Sequence, residues 1–122
     1  MIDPHFILSI FHVLIVVPFL GYIFIQRAAT PEFVFNILFF VGLFVLLYHG
    51  YKALIRFQAS SSSLWISLIH VLLFAPLIIY IGYSGKKTPR FAYELLGLTT
   101  FAALGYHLYS IALLLQVDNN NN

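Results

Sequence analysis

Four histidines at matched positions are the residues of this sequence best suited to chemistry: His12, His49, His70 and His107. Imidazole binds transition metals through a neutral ring nitrogen, and it changes charge near neutral pH. A group of such side chains therefore predicts a metal site, a haem site or a proton relay. Tyrosines flank two of the histidines, and we expect them to surround the site; they are Tyr48, Tyr51, Tyr106 and Tyr109.

The spacing of these histidines follows an internal repeat. Shifting the chain by 58 positions aligns residues 9–54 with 67–112 without a gap and gives 15 identities in 46 columns. Two unrelated apolar segments of this length would share roughly four or five residues. His70 then corresponds to His12, and His107 to His49. The pattern predicts a tandem duplication of a two-helix unit, with repeat 1 at about 6–54, a linker at 55–63 and repeat 2 at about 64–112.

The composition predicts that these repeats lie in a membrane. The chain is 61% hydrophobic and 8% charged, with a mean hydropathy of +0.95. Four uncharged apolar stretches occupy 6–25, 33–51, 64–83 and 95–117, and about 20 residues of helix cross a hydrocarbon core of about 30 Å. We therefore predict an all-α integral membrane four-helix bundle, formed by two tandem helical hairpins related by a pseudo-twofold axis along the membrane normal. It is expected to form a single domain over 1–122, ending in a disordered polar tail at 118–122.

Helix lengths predict the depth of the histidines. His12 lies about two turns inside the first span and His49 lies near the end of the second, so an antiparallel hairpin places them at similar depth. The same holds for His70 and His107, and all four are expected in one layer near the end of the bundle that holds both termini. Neighbouring helix axes are about 8–10 Å apart. Such a layer suits one transition metal ion, copper or zinc, or a single haem b held across a diagonal.

Two other functions fit the same residues. The imidazoles could conduct protons as a channel, with Glu94 and its repeat equivalent Asn36 as a further proton site. Alternatively, the polar layer only fixes helix register, and the chain is a structural or assembly subunit of a membrane complex. Arg90 lies four residues before Glu94 and predicts an ion pair on one helix face. No nucleophile motif, phosphate loop or paired carboxylate is present, which favours a protein that is not an enzyme.

The charges predict the partners and the orientation. The lipid bilayer is the expected partner, and the few dispersed basic residues do not indicate nucleic acid. Small residues such as Gly42, Gly97 and Gly105 would permit close packing within the chain, in a homo-oligomer or against a membrane-complex partner. The loops inside the two repeats carry Arg27, Lys86, Lys87 and Arg90, against Lys52 and Arg56 on the other side. The positive-inside rule then places both termini together on the non-cytoplasmic side.

The pattern also resembles uncharacterised small four-helix membrane proteins of large DNA viruses. The resemblance depends on Pro4-His5, on Leu8-Ser9-Ile10-x-His12 and on Thr88-Pro89-Arg90-Phe91-Ala92-Tyr93-Glu94, and it covers most of the chain. It implies a host or virion membrane as the location and implies no activity.

Overall fold

The computed structural model describes residues 3–122, and every regular element in that range is helical. Four helices are long and apolar enough to cross a membrane, as the sequence predicts. They are α1 (Pro4–Ala29), α2 (Glu32–Gln58), α3 (Leu64–Lys87) and α4 (Arg90–Asn121). The shortest has 24 residues, and at about 1.5 Å per residue it exceeds a hydrocarbon core of about 30 Å.

Helices α1 and α3 each contain a π-helical turn that begins at a histidine, at His12–Val16 and at His70–Phe74. A proline follows each turn, at Pro18 and Pro76, and has no amide hydrogen for the carbonyl four residues earlier. The preceding residue, Val17, instead donates its N–H to the carbonyl of His12, five residues back. The prolines therefore account for the change from α to π hydrogen bonding at both positions.

The local structure of the two halves matches at an offset of 58 residues. Val17–Gln26 in α1 corresponds to Ala75–Ser84 in α3, and a 3₁₀ turn follows each, at Arg27–Ala29 and Gly85–Lys87. The first residue of each turn has a left-handed backbone, with φ of 49° at Arg27 and 56° at Gly85. Glycine adopts that conformation without steric cost, whereas arginine does so at a cost. Thr30-Pro31 and Thr88-Pro89 then lead into α2 and α4.

Lys86 connects the two turns. Its ammonium donates hydrogen bonds to the carbonyls of Ala28 and Thr30, both at 3.0 Å. These carbonyls lie at the end of α1, where a helix leaves acceptors unsatisfied and favours a positive charge. Lys86 corresponds to Ala28 at the 58-residue offset, so the first turn has no lysine that could make the reciprocal contact with the second turn.

The ends of α2 and α4 differ from the sequence-based boundaries. Helix α2 continues through Gln58, four residues into the predicted linker, and residues 59–63 connect it to α3. Helix α4 continues to Asn121 and includes most of the tail that was expected to be disordered. Its last residues are amides and Asp118, which can extend a helix already formed by the apolar segment before them.

The chain divides into two compact units. The terminal unit comprises Met1–Ile25 and Glu94–Asn122, and the central unit comprises Gln26–Tyr93. The terminal unit therefore holds most of α1 and α4, while α2 and α3 form the central unit. Each unit thus pairs a helix of one predicted repeat with a helix of the other. The sequence predicted the hairpins but not this choice of partners.

Glycines set the closest approach in the central unit. A Cβ atom added at Gly82 of α3 would lie 2.5 Å from the backbone nitrogen of Phe39 in α2, and one at Gly42 would lie 2.7 Å from Ile79 Cγ1. Such distances are too short for any real side chain, so the two helices meet through their backbones. Phe35 and Ile81 are almost fully buried in this unit.

The terminal unit shows the reciprocal arrangement. A Cβ atom added at Gly97 of α4 would overlap the ring of Phe24 in α1. At the 58-residue offset, Phe24 corresponds to Gly82 and Gly97 corresponds to Phe39. Each unit therefore has one glycine and one phenylalanine at these equivalent positions, contributed by opposite helices.

Candidate functional site

In the terminal unit, His12 of α1 stacks on His107 of α4. The ring centroids are 4.3 Å apart and the planes differ by 20°. Nδ1 of His12 lies 2.8 Å from the carbonyl oxygen of Leu8. A carbonyl only accepts, so Nδ1 carries the hydrogen, and Nε2 holds the lone pair in the neutral ring.

The central unit contains an equivalent pair, His49 of α2 and His70 of α3. Their ring centroids are 3.9 Å apart and the planes differ by 14°. Nδ1 of His70 donates to the carbonyl of Ile66 at 2.6 Å, which corresponds to the bond from His12 to Leu8. Both histidines that begin a π-helical turn are therefore fixed in one tautomer by their own helix.

A buried serine lies one turn before each of these histidines, and both serines have no exposed surface. Ser9 Oγ is 3.3 Å from Nδ1 of His107, which is 7% exposed. In the central unit, the equivalent Ser67 accepts a hydrogen bond from the Arg56 guanidinium at 2.7 Å. Arg56 also donates to the carbonyl of Ser63 at 3.4 Å.

The flanking tyrosines fall into two groups. Tyr48 and Tyr106 meet the edges of His49 and His107 respectively, with ring centroids 5.1 Å apart in both cases. Tyr51 and Tyr109 are 63% and 64% exposed. Tyr48 and Tyr106 therefore contact a histidine ring directly, whereas Tyr51 and Tyr109 are largely exposed.

The structure places the four predicted histidines in two pairs, one in each unit, and each pair joins one histidine from each predicted repeat. In a stacked pair the nitrogen lone pairs lie in nearly parallel ring planes, so they do not converge on a point about 2.0–2.1 Å from both rings, the bond length zinc requires. Among residues 3–122, no three histidine or carboxylate side chains are grouped so as to hold a metal ion. Binding of a metal or haem would require the rings to rotate, and it stays a hypothesis.

Glu94 and Asn36, the other predicted proton site, are both exposed. Thr99 and Thr100 lie deeper on α4, and their hydroxyls donate to the carbonyl of Leu96 at 3.0 and 2.6 Å. These threonines bond to their own helix, so the structure does not extend the Glu94 position into a polar path.

Sequence reasoning missed the two serines and Arg56. Ser9 and Ser67 are identical at the 58-residue offset and precede their histidines by three residues, which places them on the same helix face. That signal was present in the sequence. Arg56 gave no such signal, because its equivalent position is Leu114. Its partner Ser67 lies on the next helix, beyond the connection at 59–63.

No protein-family model matches this chain, and no curated protein or solved structure is significantly similar to it.

Proposed function

We propose that this chain is an integral membrane protein formed by two copies of one helical hairpin, arranged as a four-helix bundle with a pseudo-twofold axis. The 15 identities in 46 columns and the matching helix bounds support the duplication. The exposed surface supports the membrane location, because side chains such as Ile25, Leu47 and Leu72 are more than 70% exposed. Such surface is favourable in lipid and costly in water.

The function we propose is proton conduction, with the two histidine pairs as the groups that accept and release protons. The observation that carries it is the stacking of two imidazoles at 4.3 and 3.9 Å in equivalent positions. Two positive charges about 4 Å apart repel by about 4 kcal/mol at an effective dielectric constant of 20. Each pair therefore favours one proton over two. Because the N–H bonds of stacked rings lie in the ring planes, that proton passes between the rings only when one ring rotates or a hydroxyl or water bridges the two nitrogens.

Polar neighbours support the transfer of that proton. Nε2 is the acceptor in neutral His12 and His70, because Nδ1 of each ring is already a donor. Ser9 lies next to His107, and its hydroxyl can both accept and donate a hydrogen bond. The terminal unit thus contains two imidazoles and a hydroxyl side by side, the groups from which proton relays are assembled.

Proton flux into liposomes tests this function. The purified protein is reconstituted with an internal pH-sensitive dye, and a potassium gradient with valinomycin drives proton entry. His12→Gln and His49→Gln are expected to reduce the flux at least tenfold. His5→Gln is the matched control, because His5 is exposed near the N-terminus and outside both pairs.

Circular dichroism and size-exclusion profiles establish that the variants are folded. A folded His12→Gln protein with the same flux as the His5→Gln control would contradict proton conduction. It would leave the histidines as structural contacts between helices.

A second candidate function is binding of a transition metal, copper or zinc, or of one haem b by the same four histidines. The observation that favours it is the bond from Nδ1 of His12 and His70 to a backbone carbonyl. Histidines that bind metals commonly donate their second ring N–H in this way, leaving Nε2 for the metal. The stacked rings must separate for this to occur.

Absorbance spectroscopy and elemental analysis distinguish the two candidates. A Soret band, or about one equivalent of copper or zinc that is lost in His70→Gln, would support binding. Protein expressed with added haem precursor and metal salts that contains neither would contradict it.

A further inference from the structure

A cavity of about 380 Å³ opens beside the start of α2 and the end of α3, within the central unit. Its polar lining includes Glu32, Asn36, Tyr83 and Lys87, and the buried ring of Phe35 contributes apolar surface. The volume lies within the range of about 300–1,000 Å³ typical of small-ligand sites. The cavity is at the end of α2 and α3 that adjoins the intra-repeat loops, and its lining residues are 12 or more positions along these helices from His49 and His70.

Charges of both signs line this cavity. Lys86 is held in place by its bonds to Ala28 and Thr30, and an ammonium has three donors, so one remains for a ligand. Lys87 and Glu32 are exposed, and within the described part of the chain neither forms an ion pair. A fixed ammonium, a second cation and a separate carboxylate therefore face one opening.

We propose that this cavity binds a phosphate linked to a primary ammonium, presented as the phosphoethanolamine headgroup of a membrane lipid. Lys86 and Lys87 contact the phosphate, and Glu32 accepts hydrogen bonds from the ammonium. A primary ammonium donates such bonds, whereas the quaternary ammonium of choline has no N–H to donate. The inference depends on the membrane location proposed above but not on the function of the histidines.

The residues equivalent to the cavity lining at the 58-residue offset show that these charges are not a general feature of the repeat. At the 58-residue offset, Glu32 corresponds to Arg90, and Lys86 and Lys87 correspond to Ala28 and Ala29. Tyr83 corresponds to Ile25. A cavity with both charge types is therefore specified at one position only.

Lipid retention tests the proposal. The intact protein is reconstituted in nanodiscs with equal amounts of phosphatidylethanolamine, phosphatidylcholine and phosphatidylglycerol, then extracted mildly, and the retained lipid is measured by mass spectrometry. Phosphatidylethanolamine is expected to be enriched at least fivefold over phosphatidylcholine. Glu32→Gln and Lys87→Gln are each expected to remove this enrichment.

Two variants serve as matched controls. Asp118→Asn and Lys52→Gln change the net charge by the same amounts outside the cavity, and they should retain the enrichment. Equal or stronger retention of phosphatidylglycerol, or enrichment that persists in Glu32→Gln, would overturn the proposal, because a simple basic surface attracts any anionic lipid.

A soluble ligand distinguishes the two possible occupants of the cavity, the lipid headgroup and free phosphoethanolamine. Free phosphoethanolamine is added to detergent-solubilised protein, and chemical shifts of labelled Lys87 and Tyr83 are followed by NMR. Shifts that saturate in the wild type but not in Glu32→Gln support a site for the headgroup chemistry, and displacement of retained lipid assigns the lipid as occupant. Saturation with no lipid retained would overturn the lipid assignment. The membrane location is tested separately: release of the protein from vesicles by alkaline buffer would show that it is wrong.

Discussion

The terminal and central units reach the same histidine geometry with opposite packing. Their histidine pairs stack at 4.3 and 3.9 Å, and both are anchored by a bond from Nδ1 to a carbonyl one turn earlier. In the central unit the small residue that permits close approach is Gly82 of α3, whereas in the terminal unit it is Gly97 of α4. The comparison shows that the same close helix contact can be made with the glycine on either of the two helices.

The polar surroundings of the two pairs differ more than their geometry. Ser9 lies beside His107, but its equivalent Ser67 accepts from Arg56. Position 114, which corresponds to Arg56, is leucine. A permanent positive charge is therefore bonded to Ser67 in the central unit, while the equivalent position in the terminal unit carries no charge, which gives the two halves a means to differ in function.

The largest effect on stability is expected from exchanging the glycine and the phenylalanine at the helix contact of the central unit. Gly82→Phe places a ring against the backbone of Phe39, and we expect it to destabilise the protein by more than about 4 kcal/mol. Adding Phe39→Gly recreates the arrangement of the terminal unit and should recover more than half of the loss. Thermal unfolding in detergent measures both. A double variant no more stable than Gly82→Phe alone would contradict the reciprocal packing.

Adding a single methyl group at each glycine is expected to cost different amounts of stability in the two units. Gly82→Ala meets backbone atoms, which cannot move aside, and should cost about 2–3 kcal/mol. Gly97→Ala meets the ring of Phe24, which can rotate, and should cost about 1 kcal/mol. Midpoints of chemical unfolding for the two variants check the order, and equal midpoints would show that both contacts yield to the same extent.

Removing the serine hydroxyl is expected to cost more stability in the central unit than in the terminal unit, as for the glycines. Ser67→Ala leaves the half-buried Arg56 guanidinium without its 2.7 Å acceptor, at a cost of about 1.5–2 kcal/mol. Ser9→Ala removes a longer bond to His107 and should cost less than about 1 kcal/mol. Unfolding midpoints again provide the measurement. A larger loss for Ser9→Ala would show that the histidine bond is the stronger of the two.

The smallest effect concerns the connection between the loops. Lys86→Met removes the two hydrogen bonds to the end of α1 and should cost only about 0.5 kcal/mol, because the side chain is exposed and solvent replaces part of the interaction. Lys87→Met is the control and should leave stability unchanged. Hydrogen exchange at Thr30 should rise only in the first variant.

The helices and the histidine matches were predictable because they depend on local signals. Uncharged apolar stretches predict spans, Pro31 and Pro89 mark helix starts, and the 58-residue offset identifies equivalent positions. Both prolines inside helices were also visible, although the π-helical turn that precedes each was not.

The choice of helix partners was not predictable from the same signals. The helices are apolar on every side, so no polar face identifies the inner surface. The contact between Gly82 and Phe39 depends on where two backbones meet, and Gly82 is not distinguished from Gly21 or Gly105 by its neighbours. The assignment of His12 to His107 follows from that packing, so depth alone could not identify it.

The π-helical turns also determine the rotational phase of α1 and α3. His70 and Gly82 both contact α2, yet they are 12 residues apart, and in a regular α-helix they would point about 120° from each other. One residue absorbed by the π turn leaves an effective spacing of 11, which brings them within about 20°. His12 and Phe24 have the same spacing and both contact α4. The single additional residue between each histidine and its proline thus allows one helix face to carry both the imidazole and the closest contact with its neighbour.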